Sequence, residues 1–210
     1  MFTAGDVTCV ATNGRSTIML YADGDCAYTA DLPVGLYNKL KGRQANQPAP
    51  IYVSLGSEDR YYIKFKDGSS AWVGSKAMSI QLKTNERTVK FVAFGATWGT
   101  YFIVYEDWSF KCGGDLPTGL VDEIQRRMVT PGYLARLDGV SLGSGGGWYL
   151  NLQGVYETKW GGLDRKSTDK IRQRGANIFF MDFGEYTSKK DESDYFIQDR
   201  APPNYDDWYD

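Results

Sequence analysis

The chain has 210 residues, a formal net charge of -2, and 42% hydrophobic against 24% charged residues. This composition is typical of a globular protein with a buried core in one or two domains. No long basic run is present, which argues against nucleic acid as a partner, and no stretch of about 18 apolar residues predicts a membrane span.

A strand that ends in glycine recurs along the chain. Its copies are VATNG at Gly14, VSLG at Gly56, VAFG at Gly95, VSLG at Gly143 and MDFG at Gly184. The steps between these glycines are 42, 39, 48 and 41 residues. Such spacing is typical of proteins built from structural repeats.

Each copy continues with a second apolar and aromatic run, at 17–21, 61–65, 100–105, 148–152 and 194–199. Asp23-Gly24 and Asp67-Gly68 then predict two-residue hairpin turns, because glycine readily adopts the positive φ that these turns need. In the third copy Trp108 stands in the place of this glycine. A third strand follows in four copies, as DCAYTA, SSAWVG, SFKCGG and YETKWGG.

Two nearly identical hexapeptides, DLPVGL at 31–36 and DLPTGL at 115–120, predict the start of a short helix after the third strand. Equivalent polar residues are expected to cap the helices: Asp31, Ser75 and Asp115. Apolar residues then recur at helical spacing, at Leu32, Leu36 and Leu40, at Leu116, Leu120 and Ile124, and more weakly at Leu163 and Ile171. This spacing predicts one apolar face on each helix.

The sequence therefore predicts a mostly β protein with short helices, a single repeat domain of four complete three-stranded-plus-helix units and a partial fifth. The units cover about 7–48, 49–88, 89–133, 134–177 and 178–199, and an acidic aromatic tail covers 200–210. A lone sheet of this kind cannot bury its apolar face, so the units must stack. We favour a β-propeller-like ring over a linear solenoid, and four or five blades both remain open.

The segment YYIKFKDGSSAW at 61–72, followed by a short helix, resembles the blades of small β-propellers. Hemopexin-like four-bladed domains and tachylectin-like five-bladed lectins are similar in pattern over nearly the whole chain. The resemblance implies a propeller fold and, through the lectins, a sugar site in each repeat. The repeated D-A-A-F of hemopexin domains is absent, so their channel metal ions are not implied.

The chain contains no histidine, which removes Ser-His-Asp and Cys-His sites and the commonest zinc ligand. The aspartates recur at turn and cap positions, where they need no catalytic role. Cys9, Cys26 and Cys112 form no C-x-x-C pair, which favours reduced thiols and a cytoplasmic protein, with secretion left open. We expect a non-catalytic protein without metal or cofactor.

Aromatic side chains are the remaining candidates for a binding surface. Trp98 interrupts the repeat in a loop, and Trp148 follows a glycine-rich stretch. The tail residues Tyr205, Trp208 and Tyr209 would either dock a protein partner or fold back onto the incomplete fifth unit.

A lectin would instead stack one aromatic of each unit on a sugar ring. The candidates are Tyr61, Trp72, Tyr101 and Trp160, of which Trp160 is expected one position out of register. The most favoured function is a scaffold that binds a protein partner through its rigid repeat surface, and the alternative is a carbohydrate-binding lectin.

Overall fold

The computed structural model describes residues 7–41, 47–128, 136–143, 145–153, 157–174, 178–186 and 193–199. No helix in these ranges is long and apolar enough to cross a membrane. The tail candidates Tyr205, Trp208 and Tyr209 lie outside the described residues.

Strand, strand, strand, helix is the repeating order of the described elements. The first unit comprises β1 (Val7–Thr12), β2 (Thr17–Tyr21), β3 (Cys26–Tyr28) and α1 (Val34–Leu40). The second comprises β4 (Pro50–Leu55), β5 (Tyr61–Phe65), β6 (Ser70–Val73) and α2 (Lys76–Thr84). The third comprises β7 (Val89–Phe94), β8 (Tyr101–Tyr105), β9 (Phe110–Gly113) and α3 (Thr118–Met128). The fourth comprises β10 (Arg136–Leu142), β11 (Trp148–Gln153), β12 (Glu157–Gly161) and α4 (Arg165–Arg174), and the pair β13 (Ile178–Tyr186) and β14 (Ser193–Asp199) follows.

Each of the four units described in full is an antiparallel meander with its first strand at one edge. The predicted mostly β fold with short helices, and the four strand–strand–strand–helix units, are confirmed. The register shifts at one equivalent place in the first strand of each described sheet, between the residues Val7/Cys9, Pro50/Tyr52, Val89/Phe91, Leu137/Gly139 and Ile178/Phe180. Because bulges are specific local features, their recurrence supports descent of these sheets from one module.

The apolar core lies between consecutive sheets. The first strands contact one another in the order β1, β4, β7, β10 and β13. The core between the first two units joins Leu20 and Leu36 of the first to Val53 and Ile63 of the second. Similar clusters lie between the second and third units, the third and fourth, and the fourth unit and the β13–β14 pair. Stacking therefore buries the face that each meander would expose alone.

Close approach between units explains Gly56 and the glycine of each hexapeptide. A Cβ added at Gly56 would lie 2.7 Å from the Cβ of Phe94 in the next unit. A Cβ at Gly35, in the first hexapeptide, would lie 2.9 Å from the hydroxyl oxygen of Tyr61. Gly119, in the second hexapeptide, lies in the same way against Trp148. Each hexapeptide thus buries a leucine and leaves room for an aromatic ring of the next unit.

Helix capping differs from the prediction. The Ser75 cap is confirmed, because its Oγ accepts a hydrogen bond from the Met78 N–H at 3.2 Å. The caps at Asp31 and Asp115 are wrong: α1 and α3 begin at Val34 and Thr118, so each aspartate lies three residues before its helix. A proline disfavours the helical conformation at the residue before it, and Pro33 occupies the N-cap of α1 without a side-chain hydrogen bond.

The fourth helix has a cap that the sequence pattern left unclear. Asp164 Oδ1 accepts a hydrogen bond from the Ser167 N–H at 2.8 Å, and Ser167 Oγ donates to Asp164 Oδ2 at 2.6 Å. This aspartate directly precedes α4, as an N-cap residue does.

The predicted hairpin turns are confirmed. Gly24 and Gly68 have φ values of 91° and 85°, and Trp108 adopts the same region at 68°. Bulky residues rarely adopt this conformation, and here the Lys90 ammonium lies 3.8 Å from the centre of the Trp108 ring. The aspartate of each turn accepts a hydrogen bond from the backbone N–H two residues later, at Asp25, Ser69 and Ser109. Turn formation thus accounts for these carboxylates.

Candidate functional site

Trp98 is the most prominent exposed aromatic among the described residues of the loops between first and second strands. It lies between β7 and β8 with 42% of its surface exposed, although indoles are usually largely buried. An exposed tryptophan of this kind, held in place by its surroundings, is typical of a recognition surface.

A fully buried arginine holds the loop of Trp98. Arg60 is 0% exposed and ends the equivalent loop of the second unit. Its Nη1 donates to the carbonyl oxygens of Thr97 and Thr100 at 2.6 and 3.2 Å, and its Nη2 donates to Gly95 O at 2.7 Å. Nη2 also donates to Ser57 Oγ at 2.7 Å, and Nε donates to Ser57 O at 3.0 Å. All five guanidinium donors are therefore used.

The charge of Arg60 is compensated by carbonyl dipoles and aromatic rings. Its guanidinium carbon lies 5.4 Å from the centre of the Phe94 ring and 6.0 Å from that of Trp98. Burial lowers the pKa of Arg60, while the nearby charge of Glu58 raises it. The guanidinium is thus a fixed structural cation behind the indole, and the outer surface of Trp98 remains accessible.

Two acidic residues in strained conformations lie in the adjoining loop. Glu58 and Asp59 have φ values of 56° and 60°, and both side chains are exposed. Consecutive non-glycine residues in the left-handed region are uncommon and cluster at functional sites. They place two carboxylates on the loop that Arg60 joins to Trp98. We call residues 57–60 and 96–99 the loop pair.

The loops of successive units are joined at one end of the molecule. Asn13 Nδ2 donates to Gly56 O at 3.1 Å, which links the first unit to the second. Arg60 makes the equivalent link to Gly95 of the third unit. These bonds align the described loops of three units into one surface, with the loop pair as its most aromatic and acidic part.

A second polar feature lies where β1 meets the last strand pair. We call the contact of β1 with β13 and β14 the seam. The Thr12 N–H donates to Asp182 Oδ2 at 2.9 Å, and the Phe183 N–H donates to Asp182 Oδ1 at 3.0 Å. Burial raises the pKa of Asp182 to about 7, although these two hydrogen bonds lower it.

The Asp182 charge acts on Cys9 of β1 and Tyr52 of β4. Burial raises the pKa of the Cys9 thiol to about 12, and the Asp182 charge adds to this rise. Burial also raises the pKa of Tyr52 well above its usual range, with smaller contributions from Cys9 and Asp182. Cys9 is therefore a thiol rather than a nucleophilic thiolate. No disulfide joins Cys9, Cys26 and Cys112.

Three aromatic candidates are buried between units. Tyr61, Tyr101 and Trp148 are 3, 4 and 7% exposed, and they begin β5, β8 and β11. They contribute to the cores between sheets, and none presents an open ring face to solvent. Trp98, which lies within a loop between first and second strands, therefore differs in exposure from Trp148, which follows such a loop.

The two other tryptophans named for a lectin are half-buried and equivalent to each other. Trp72 lies opposite Tyr62, and Trp160 lies opposite Tyr149. The prediction that Trp160 lies out of register was wrong. One more residue separates Trp160 from Tyr149 than separates Trp72 from Tyr62, and the two tryptophans have equivalent pairing partners. The Trp72 indole donates to Ser79 Oγ of α2 at 3.2 Å, so it packs between its strand and its own helix.

Arg60 and Asp182 are the two residues that the sequence analysis missed. Asp182 could have been found by aligning the copies, because its position carries Ala11, Ser54, Ala93 and Ser141 in the other units. Arg60 has no such signal beyond a single arginine directly before an aromatic strand. Within the described ranges, no three His, Cys, Asp or Glu side chains converge as metal ligands would.

No protein-family model and no curated protein matches this chain. Function is therefore argued from the geometry of the loop pair and the seam.

Proposed function

We propose that the five sheets close into a β-propeller-like ring, and that this ring is a non-catalytic module that binds a protein partner through the loop pair. The single observation that carries the binding proposal is the exposure of Trp98 on a loop that a buried arginine holds in place.

Closure of the ring is supported by contacts on both sides of β1. This strand contacts β4 on one side and β13 on the other. The hydrogen bond from Thr12 to Asp182 joins the first and last sheets, and the Asp182 charge contributes to the raised pKa of Tyr52 on β4. Such contacts are expected when inner strands surround a common axis, and a solenoid would separate its first and last sheets.

Binding through Trp98 is supported by pre-organisation. Side chains that are already ordered lose less conformational entropy on association, so more of the contact energy remains as affinity. Tryptophan is enriched among the residues that dominate binding energy at protein interfaces. The exposed Glu58 and Asp59 carboxylates favour a partner surface with positive charge.

Affinity purification from the native source tests the proposal with three versions of the chain. We expect the unmodified chain to retain a partner that Trp98→Ala loses. Ile80→Ala is the matched control, since Ile80 on α2 is 47% exposed and lies outside the loop pair. Both variants should keep the melting temperature of the parent, because each removes an exposed side chain.

Two results would count against the proposal. A chain that purifies alone and monomeric would argue against scaffolding, and a Trp98→Ala chain that keeps its partner would exclude the loop pair as the anchor. Binding on a glycan array that Trp72→Ala or Trp160→Ala abolishes would support the lectin alternative instead.

A further inference from the structure

One face of the first sheet is less covered than its equivalents. Met19 occupies the centre of β2 and lies opposite Val10 of β1. Residues at the same place in β5, β8 and β11 are Ile63, Ile103 and Leu150, which lie opposite Val53, Val92 and Val140. Those three residues are each 0% exposed, whereas Met19 is 38% exposed.

The preceding unit explains this burial in the other sheets. Ile63 packs in one cluster with Leu36 and Leu40 of α1, Ile103 packs with Met78 of α2, and Leu150 packs with Leu120 of α3. The element before the first sheet, in the order of the contacts, is the β13–β14 pair. No helix follows β14 within the described residues.

The first sheet also carries a small side chain on this face where the other sheets carry an aromatic ring. Thr17 begins β2, where Tyr61, Tyr101 and Trp148 begin the middle strands of the other complete units. Those rings pack against the helix of the preceding unit at Gly35 and Gly119 in two cases. Threonine leaves space on the first sheet that an aromatic ring from elsewhere would fill.

The last described strand contacts the first sheet. β14 ends at Asp199 and contacts β1. The segment 200–210, RAPPNYDDWYD, is rich in aromatic residues. Eleven extended residues span up to about 36 Å, which is ample to cross one sheet of short strands. The carboxylates beside Trp208 would remain in solvent while the indole is buried.

We propose that residues 200–210 dock on the face of the first sheet that carries Thr17 and Met19, with the Trp208 indole against the Met19 side chain. This contact is intramolecular and takes the place of the helix that covers the other sheets. It goes beyond the proposed function, because it assigns Trp208 to the chain's own surface, whereas Trp98 remains the contact to the partner.

Methyl NMR of methionine tests the contact directly. The chain has five methionines, so ¹³C-methyl labelling gives a simple spectrum, and Met19→Leu assigns the Met19 signal. An indole stacked on the methyl group shifts that signal upfield. We expect Trp208→Leu, or a chain that ends at Asp199, to return the signal to the position of a solvent-exposed methionine. Trp98→Leu is the matched control and should leave the Met19 signal unchanged.

Mixing experiments distinguish the chain's own tail from the tail of a second copy as the segment that covers this face. Unlabelled full-length chain is added to labelled chain that ends at Asp199, and the proposal expects no return of the upfield shift at micromolar concentration. A return of the shift would show that the tail covers a second copy and would overturn the intramolecular contact. If neither Trp208→Leu nor the truncation changes the methyl shift of Met19, the docking itself is overturned. If the chain that ends at Asp199 loses a partner that the Trp208→Leu chain retains, the tail binds the partner, and its assignment to the chain's own surface is overturned.

Discussion

The contact between the third and fourth units and the seam differ in the chemistry that joins two neighbouring sheets. The first is an apolar core in which Phe102, Leu120 and Leu150 are all 0% exposed. The seam instead joins β1 to β13 through the Thr12 N–H and a half-buried carboxyl whose pKa is raised to about 7. Equivalent places in a repeat protein therefore need not contribute equally to stability, because each copy changes independently.

The largest effect is expected where the helix closes an apolar core. Leu120→Ala should destabilise the chain by about 3 kcal/mol, because a fully buried leucine leaves a cavity between two sheets. Val34→Ala on α1 is the control, and since Val34 is 69% exposed its effect should stay within about 0.5 kcal/mol. Urea denaturation at neutral pH measures both. Equal effects of the two variants would show that α3 does not close the core.

The next largest effect is expected at the loop pair. Arg60→Lys keeps the charge but loses the planar guanidinium, and a lysine ammonium with three donors cannot make all five of the hydrogen bonds that Arg60 donates to the two loops. We expect a loss of about 2 kcal/mol in the free energy of unfolding. Arg87→Lys is the matched control, because the Arg87–Asp107 ion pair is about half exposed and should change stability by less than about 0.5 kcal/mol. An Arg60→Lys chain as stable as this control would contradict the role given to the guanidinium.

The size of the effect expected at the seam depends on pH. The pKa of Asp182 is about 7 in the folded chain, against about 3.9 in an unfolded one. The folded chain therefore holds a proton that the unfolded chain has released between these values. This carboxyl favours folding fully below about pH 4, and its contribution falls as pH rises to about 7, by up to about 1.4 kcal/mol per pH unit.

Asp182→Asn removes this titration while it keeps a polar side chain of similar size. We expect the difference in unfolding free energy between the parent and the variant to move in favour of the variant from pH 5 to pH 7. Denaturation series at matched ionic strength measure the difference, in which the other carboxylates cancel. A difference that stays constant over this range would show that Asp182 titrates normally.

Much of the fold was predictable because it depends on local patterns. Alternating apolar residues, the glycine after each first strand and the Asp-Gly turns recur within each copy, so strands and turns could be placed from short segments. Features that depend on contacts between copies were harder to predict. Arg60 donates to carbonyls 35 to 40 residues away in sequence, and no local sequence pattern predicts such contacts.

The candidate site was predictable only in part. Trp98 lies within a loop and Trp148 begins a strand, and each contacts the preceding unit: Trp148 packs against Gly119, whereas Trp98 lies over Arg60. Whether a ring is exposed depends on its neighbour in the preceding unit. The prediction of aspartate caps was wrong for a local reason. Each aspartate is followed two residues later by a proline, which disfavours a helix that begins before it.

The Thr12 amide in the ¹⁵N spectrum is the most direct probe of the proposed ring closure, because this group joins the first sheet to the last. A closed ring predicts slow hydrogen exchange of this amide and a chemical shift that titrates with a midpoint near pH 7. Asp182→Asn should remove the titration and keep the slow exchange, because its side-chain oxygen still accepts from the Thr12 N–H. Fast exchange with no titration in the parent would show that β1 and β13 are apart and would contradict the closed ring.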